Sequence, residues 1–303
     1  MNKVGFIGLG VMGAPMCANL AKKSGAVVTA FDVRPEPLRK LAEFGVLAAA
    51  DIAQVVSDAD VIFLSLPGGP QLSEVCEQLL PLMRAGQTVV DTSSSPVGLT
   101  RELAGRFGAI GVDYADAPIA RTRQAAIDGT LSIMVGGTAQ VFARVQPLLA
   151  CCGTEVSHCG DVGTGQVVKL MNNMVVTQTV VALAEALAVG RRAGVDGQVL
   201  FETMTKGSSD SFVLRNHGMK SMLPGVFPEL AFSTDYMRKD LSYATQLAED
   251  VGLSLRGAET ARGLLEESSA AGYADVYFPA LLNIVDGKTV DGKAVDGRTK
   301  SEK

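Results

Sequence analysis

Two stretches of this chain carry residues with obvious chemical use. The first is DAPIARTRQAAIDGTL, Asp116 to Leu131, where Arg121 and Arg123 stand just past an apolar run that reads as a strand end. A guanidinium is a planar fork of donors suited to an oxyanion, and the hydroxyl of Thr122 adds one more donor. The plainer alternatives are that Arg121 pairs with Asp116 and that Arg123 is a solvated residue at a helix start; for Arg123 the plainer one is preferred. The second stretch is QVVKLMNN, Gln166 to Asn173. Lys169 is flanked by Val, Leu and Met, and Asn173, four residues on, shares its helix face. Such a lysine either snorkels to water or faces a dry cleft, where desolvation makes it a usable acid or base. Helical spacing alone favours snorkelling.

A third motif points to a ligand. Gly8-Leu9-Gly10-Val11-Met12-Gly13 follows an apolar strand and opens a helix, and Asp32 ends the next strand. In a dinucleotide fingerprint the first glycine allows the tight turn, the second admits a pyrophosphate, and the third lets helix and strand pack closely. The helix N-terminus then receives the phosphate charge. Asp32 can accept from a ribose 2′-hydroxyl and would repel a 2′-phosphate. NAD is therefore expected over NADP, although Arg34 could swing toward a 2′-phosphate.

These motifs need elements to hold them. KVGFIGLG, AVVTAFD, DVIFLSLP, QTVVDTSS, VDYADAPIA and LSIMVGG read as strands, with helical periods such as Ala14–Lys23, Glu36–Phe44 and Gly69–Arg84 between most of them. That alternation implies parallel βαβ units. After about Gly163 the strands stop, and a helix of roughly thirty residues begins, far beyond the usual length. Further helices are expected over Asp196–Thr205, Ser211–Met222, Phe232–Val251 and Arg256–Ala271. The expected organisation is 1–162 as a nucleotide-binding domain, 163–285 as an all-α domain, and 286–303, a repeat of Asp-Gly-Lys/Arg, as a solvated tail.

Composition excludes several classes. The chain has 303 residues, 47% hydrophobic and 19% charged, with a net charge of −5. No basic block suggests a nucleic-acid partner. Two histidines, His158 and His217, argue against a histidine-rich metal site, and none is expected. Cys17, Cys76, Cys151, Cys152 and Cys159 fit neither a zinc site nor a disulfide framework and read as reduced cytosolic thiols. The apolar stretch Met174–Gly190 is broken by Gln178 and Glu185 and reads as a buried helix, not a membrane span. Val4, Phe6 and Ile7 run straight into glycines without the length of a signal sequence. A cytoplasmic location is expected.

Four segments together carry a resemblance: GFIGLGVMGAPMCANLAK, DAPIARTRQAAIDGTL, GTGQVVKLMNNMV and FSTDYMRKDL, the last with Lys239 and Asp240. From residue 3 to about 285 the chain resembles the β-hydroxyacid dehydrogenase family, which includes 3-hydroxyisobutyrate dehydrogenase and tartronate semialdehyde reductase. The resemblance implies a Rossmann-type doubly wound parallel sheet, followed by an all-α C-terminal domain joined through a long interdomain helix. It implies that Lys169 is the catalytic acid/base, that Asn173 holds polar groups of the substrate, and that Leu66, Pro67 and Ser94 lie along the cofactor with Gly8, Gly10, Val11, Met12, Gly13 and Asp32. Lys239 would close over the nicotinamide end. Homodimers or homotetramers are implied, and the apolar surface of the long helix argues the same way.

At the substrate motif the chain departs from the family. Ala120-Arg121-Thr122 stands where Ser-Gly-Gly is usual, which alters the carboxylate pocket. Arg-Thr at this place resembles the bacterial sulfolactaldehyde reductases, where it contacts a sulfonate, and this favours a substrate role for Arg121. The expected activity is NAD-dependent interconversion of a short anionic aldehyde and its primary alcohol, first of all reduction of 3-sulfolactaldehyde to 2,3-dihydroxypropane-1-sulfonate. The alternatives are 3-hydroxyisobutyrate, tartronate semialdehyde, or the succinic semialdehyde/4-hydroxybutyrate couple. Imine reduction on a similar fold usually lacks this lysine. A non-catalytic dinucleotide-binding regulator would have no need of Lys169, Asn173 and Lys239. Arg215, His217 and Lys220 are weaker candidates for the cleft.

Overall fold

A computed structural model describes residues 3–229 and 231–287. The tail expected over 286–303 lies, from residue 288 on, outside the described residues. Nine strands, β1 (Lys3–Ile7), β2 (Val27–Phe31), β3 (Leu47–Ala48), β4 (Val61–Leu64), β5 (Thr88–Asp91), β6 (Asp113–Asp116), β7 (Ile119–Ala120), β8 (Leu131–Gly136) and β9 (Gly153–Gly160), form one sheet. Helices α1 (Gly13–Lys23), α2 (Pro35–Leu41), α3 (Ile52–Asp58), α4 (Gly69–Leu79), α5 (Val97–Ala109), α6 (Arg123–Asp128) and α7 (Ala139–Leu149) connect them.

The order β3-β2-β1-β4-β5-β6 is parallel throughout. Its central strands β4 and β5 are buried at every residue, β4 as the apolar run VIFL and β5 as TVVD with its acidic residue at the end, as helices on both sides require. Phe6 and Phe63, partners in the β1–β4 register, stack with ring centroids 5.8 Å apart. One core forms on α1, α6 and α7 around Leu20, Leu131 and Leu149, and another on α3, α4 and α5 around Val55, Leu72 and Phe107.

The expectation of parallel pairing alone needs correction beyond β6. β7 and β8 pair antiparallel, and β6 meets β8 antiparallel at Asp116 and Gly136. A parallel crossover needs about a dozen residues or more. Between β7 and β8 there is room only for α6 and the left-handed turn at Gly129, so the chain reverses instead. β9, absent from the sequence-derived strands, pairs parallel with β8. Its residues are largely exposed, so no apolar run marked it.

α8 (Thr164–Arg192) spans 29 residues. By length and composition it is apolar enough to cross a membrane, yet Val180, Leu183, Ala184, Leu187 and Ala188 are buried at helical spacing inside the protein. By its contacts the chain divides into two units inside this helix, between Leu170 and Met171, whereas the expected boundary, 162/163, falls just before the helix starts. The second unit continues through α9 (Gly197–Met204), a π-helical turn over Leu214–Met222, α10 (Thr234–Asp250), α11 (Arg256–Ser268) and α12 (Leu282–Val285). Among the described residues its only β contacts are the isolated bridges Glu229–Val276 and Ser233–Tyr277.

One core carboxylate has a stability consequence. Asp91, at the end of β5, is fully buried and accepts from Ser93 N at 2.9 Å and Tyr114 OH at 3.3 Å. Burial pushes its carboxyl up to about 7, against the pull of those hydrogen bonds, and the nearby Asp116 adds to the rise. The folded value is thus above the ordinary carboxylate value. Between that value and about 7 the unfolded chain ionises while the folded chain does not, so this group removes stability as pH rises through the window. Asp91→Asn keeps an acceptor for Ser93 N and never ionises. Thermal unfolding should show its melting temperature gaining on wild type from pH 4.5 to 7 and levelling above. No gain at pH 8 would mean that the buried charge is compensated.

Candidate active site

The glycine loop separates residues needed by the protein from residues needed by something else. Gly8 has a φ of +94°, and a Cβ there would run into the carbonyl oxygen of Ser65. A Cβ on Gly13 would run into the carbonyl oxygen of Gly8. Both glycines are therefore fixed by the chain's own packing. A Cβ on Gly10 meets nothing within 4 Å. The bare backbone at Gly10 has no internal cause, and close approach of a pyrophosphate supplies one. α1 starts here with no side-chain cap and no acidic residue in its first turn, which leaves its N–H groups and positive dipole end to an anion. Val11 is exposed and Met12 half-buried beside it. The residues present fit a dinucleotide.

Asp32 is more occupied than its sequence position suggested. Its Oδ2 accepts from Leu9 N at 2.6 Å, and its Oδ1 from Arg34 N at 2.8 Å and Arg34 Nε at 3.4 Å. A carboxylate offers about four acceptor sites, so one is left for a ribose hydroxyl. The Arg34 side chain is 61% exposed. On the neighbouring strand ends, Leu66 N donates to Ser93 Oγ at 2.9 Å, and Ser94 is buried beside it. Leu66, Pro67 and Ser94 thus sit on turns that follow β4 and β5.

Lys169 is 6% exposed. Most of the side chain is therefore buried, against the expectation from helical spacing alone that it runs out to solvent. Gln166, Lys169, Leu170, Asn173 and Thr177 form one buried stripe along α8. In the second unit Asn173 Nδ2 donates to Asp240 Oδ2 at 2.7 Å, and the Lys239 ammonium lies 3.1 Å from Asp240 Oδ1. Lys239 also sits over the rings of Tyr236 at 3.9 Å and Tyr243 at 5.4 Å. Asp240 is wholly buried. It orients both candidates, yet it carried no role in the sequence reading; the Lys-Asp pair in FSTDYMRKDL was the signal.

Arg121 does not pair with Asp116, whose oxygens accept from Gly163 N at 2.7 Å and Gln166 N at 2.8 Å. Its Nη1 donates instead to the carbonyl oxygen of Thr130 at 2.6 Å and to Thr154 Oγ1 at 3.3 Å. Among the described residues Arg121 is the only non-glycine with positive φ, at 86°. Both partners are neutral oxygens, and among the described residues Arg121 forms no ion pair. Thr122 caps α6 by accepting from Ala125 N at 3.3 Å, and Ala120 ends β7 half-buried. Arg123 is exposed at the first residue of α6. The weaker candidates have structural occupations. Arg215 forks onto Asp210 at 2.8 and 2.9 Å, Lys220 donates to Asn216 Oδ1 at 2.9 Å, and His217 is hydrogen-bonded to Tyr277. Burial lowers His217 to about 4.

Two family models account for nearly all of the described chain. The NAD binding domain of 6-phosphogluconate dehydrogenase matches residues 3–160, and the NAD-binding model of NADP-dependent 3-hydroxyisobutyrate dehydrogenase matches 163–285. The chain belongs to the β-hydroxyacid dehydrogenase family. It is an oxidoreductase acting on hydroxyl groups, with NAD(P)-binding domains. This dehydrogenase is 33% identical over 290 residues to 2-(hydroxymethyl)glutarate dehydrogenase of Eubacterium barkeri, covering 95% of this chain and 96% of that one. It is 34% identical to 2-hydroxy-3-oxopropionate reductase of Escherichia coli K12, covering 94% and 97%. Among solved structures, 3-hydroxyisobutyrate dehydrogenase of Mycobacterium tuberculosis with L-serine superposes with a TM-score of 0.87 at 30% identity, covering 94% and 99%.

The three loop glycines of this dehydrogenase give a direct test. Gly10→Ala should leave the melting temperature of the cofactor-free protein within about 2 °C of wild type, since the added methyl meets no protein atom. It should weaken NADH binding at least tenfold, read by fluorescence titration. Gly13→Ala should lower the melting temperature itself. Unchanged NADH affinity in Gly10→Ala would remove the pyrophosphate from this loop.

Proposed function

We propose that this dehydrogenase interconverts a short anionic aldehyde and its primary alcohol, with Lys169 as the acid/base, NAD as the preferred cofactor, and the acid group of the substrate held at Arg121. The burial of Lys169 carries the assignment of the reaction. It puts the ammonium on the same helix face as Gln166, Asn173 and Thr177, where surrounding protein limits its contact with water. When bound, the nicotinamide supplies or takes up a hydride. As an aldehyde is reduced, negative charge grows on its oxygen; the Lys169 ammonium stabilises that charge by hydrogen bonding and then gives up its proton. In the reverse direction the neutral amine takes the proton of the alcohol. Asn173 donates to Asp240 and accepts from Asn172 Nδ2 at 3.1 Å, which fixes the plane of the amide that faces the substrate. Gly8, Gly10, Val11, Met12 and Gly13 hold the pyrophosphate, Leu66, Pro67 and Ser94 flank the cofactor, and Lys239 serves its nicotinamide end. Asp32 favours NAD, having one acceptor site for a ribose hydroxyl and a charge that opposes a 2′-phosphate.

The open edge of Arg121 supports 3-sulfolactaldehyde, reduced to 2,3-dihydroxypropane-1-sulfonate, as the substrate. Nη1 uses two of the five guanidinium N–H donors. The edge formed by Nη2 and Nε is a bidentate fork for one face of a sulfonate, and Ala120 and Thr122 border it. A second reading is favoured by the relatives, whose names specify hydroxymethylglutarate, hydroxy-oxopropionate and 3-hydroxyisobutyrate. There Arg121 would clamp a carboxylate.

Lys169→Ala should lose between about a hundredfold and ten-thousandfold in kcat while still binding NADH; near-normal turnover would sink the assignment. Comparing sulfolactaldehyde with methylmalonate semialdehyde by NADH absorbance should show kcat/KM favouring the sulfonate more than tenfold. A charged hydrogen bond contributes roughly 1.5–3 kcal/mol, so Arg121→Met should erase that preference. A preference for the semialdehyde carboxylate in wild type would select the second reading.

A further inference from the structure

The first turn of α8 is held by two side chains to which the reaction above gives no part. Asp116, at the end of β6 and wholly buried, accepts from Gly163 N at 2.7 Å and Gln166 N at 2.8 Å. It is a cap supplied by a strand distant in sequence and not by the residue that precedes the helix. The socket around it is made of glycine. A Cβ on Gly136 would collide with Asp116 Oδ1, and one on Gly165 would come within 2.8 Å of Asp116 Oδ2. Gln166, also wholly buried, reaches the other way. Its Nε2 donates to the carbonyl oxygen of Ser93 at 2.7 Å, and its Oε1 accepts from Ser95 N at 3.2 Å. Ser93 in turn accepts from Leu66 N. The turns after β4 and β5 and the start of α8 are therefore joined by direct hydrogen bonds. Lys169 follows Gln166 by one helical turn on the same buried stripe.

We propose that Asp116 and Gln166 are positioning residues for the reaction, fixing the height and rotation of α8 so that Lys169 stands in register with the turns carrying Leu66 and Ser93–Ser95. The proposal rests on the reading of Lys169 as the acid/base and of those turns as the cofactor's supports. Two features separate it from ordinary packing. A buried carboxylate is an expensive cap: burial pushes Asp116 up to about 6 even with main-chain N–H groups pulling it down, and it comes from a distant strand where the side-chain caps of α3, α6, α7, α9 and α10 come from the residue just before the helix. And Gln166 bonds to main-chain groups on both its amide atoms, which fixes a direction as well as a distance. Effective catalysis needs the proton donor placed within a few tenths of an ångström of its target.

The test uses Gln166→Met and Gln166→Glu in the full chain, from pH 5.5 to 8.5, with whichever of sulfolactaldehyde and methylmalonate semialdehyde wild type reduces faster. Both variants should bind NADH within about threefold of wild type. The methionine variant should lose more than tenfold in kcat at every pH. The glutamate variant should match it at pH 8 and recover toward wild type as pH falls, because only a protonated carboxyl can donate to the Ser93 carbonyl oxygen. The ratio of the two variants cancels the titration of Lys169 itself. A kcat within twofold of wild type for Gln166→Met overturns the proposal. So does a loss that is equal in both variants at all pH values and matches the fraction of unfolded protein seen by circular dichroism. Lys169→Ala, assayed beside them, separates the two readings: if it retains turnover, the acid/base assignment has failed, and if it does not while Gln166→Met is normal, the positioning role alone has failed.

Discussion

The carboxylate of Asp116 is the contact on which the first unit's arrangement turns. A 29-residue helix begins where a strand ends, and its first N–H groups are buried at the meeting point of β6, β8 and the loop before Thr164. Buried donors without acceptors are costly. One side chain answers two of them, and the sheet yields to it: a Cβ on Gly136 of β8 would meet that carboxylate, and one on Gly165 of α8 would meet both the Met134 carbonyl oxygen and the carboxylate. The reversal of β7 and β8 follows from the same corner. Asp116 is the last residue of β6 before Ala117-Pro118 breaks the strand, and the short return through α6 leaves β8 antiparallel to it.

The same division of labour runs through the second unit on a smaller scale. Asp240 is buried between an amide and an ammonium, and it sets which way Asn173 and Lys239 present themselves. The rings of Tyr236 and Tyr243 confine Lys239 further, in a contact where a cation meets the face of an aromatic ring. Lys169, Asn173 and Lys239 are all carried by helices, and a buried carboxylate bonds to each of those helices, Asp116 at the start of α8 and Asp240 on α10.

What could be read in the sequence was what periodicity and local rules encode. The βαβ alternation, the glycine loop and the extent of α8 follow from apolar spacing and turn residues. Lys169 was visible as a candidate, but whether it reached water depended on long-range packing, which i, i+4 spacing does not contain. β9 escaped notice because an edge strand owes its form to its partner and not to its own side chains. The antiparallel return at β8 depended on counting the residues available for a crossover. Asp116 looked like a candidate partner for Arg121, five residues away in sequence, whereas its actual partners lie at Gly163 and Gln166. Local pairing is easy to imagine and gives no hint of a strand capping a distant helix. The crowding of Asp32 by Leu9 and Arg34 was likewise hidden, since the fingerprint names the carboxylate but not its other donors.

Arg121 occupies left-handed backbone, where a glycine would sit at ease. Charge and strain therefore reside in a single codon. Exchange for glycine would relax the loop and delete the guanidinium in one step, so the backbone would gain at the moment the donor fork and its bonds to Thr130 and Thr154 were lost.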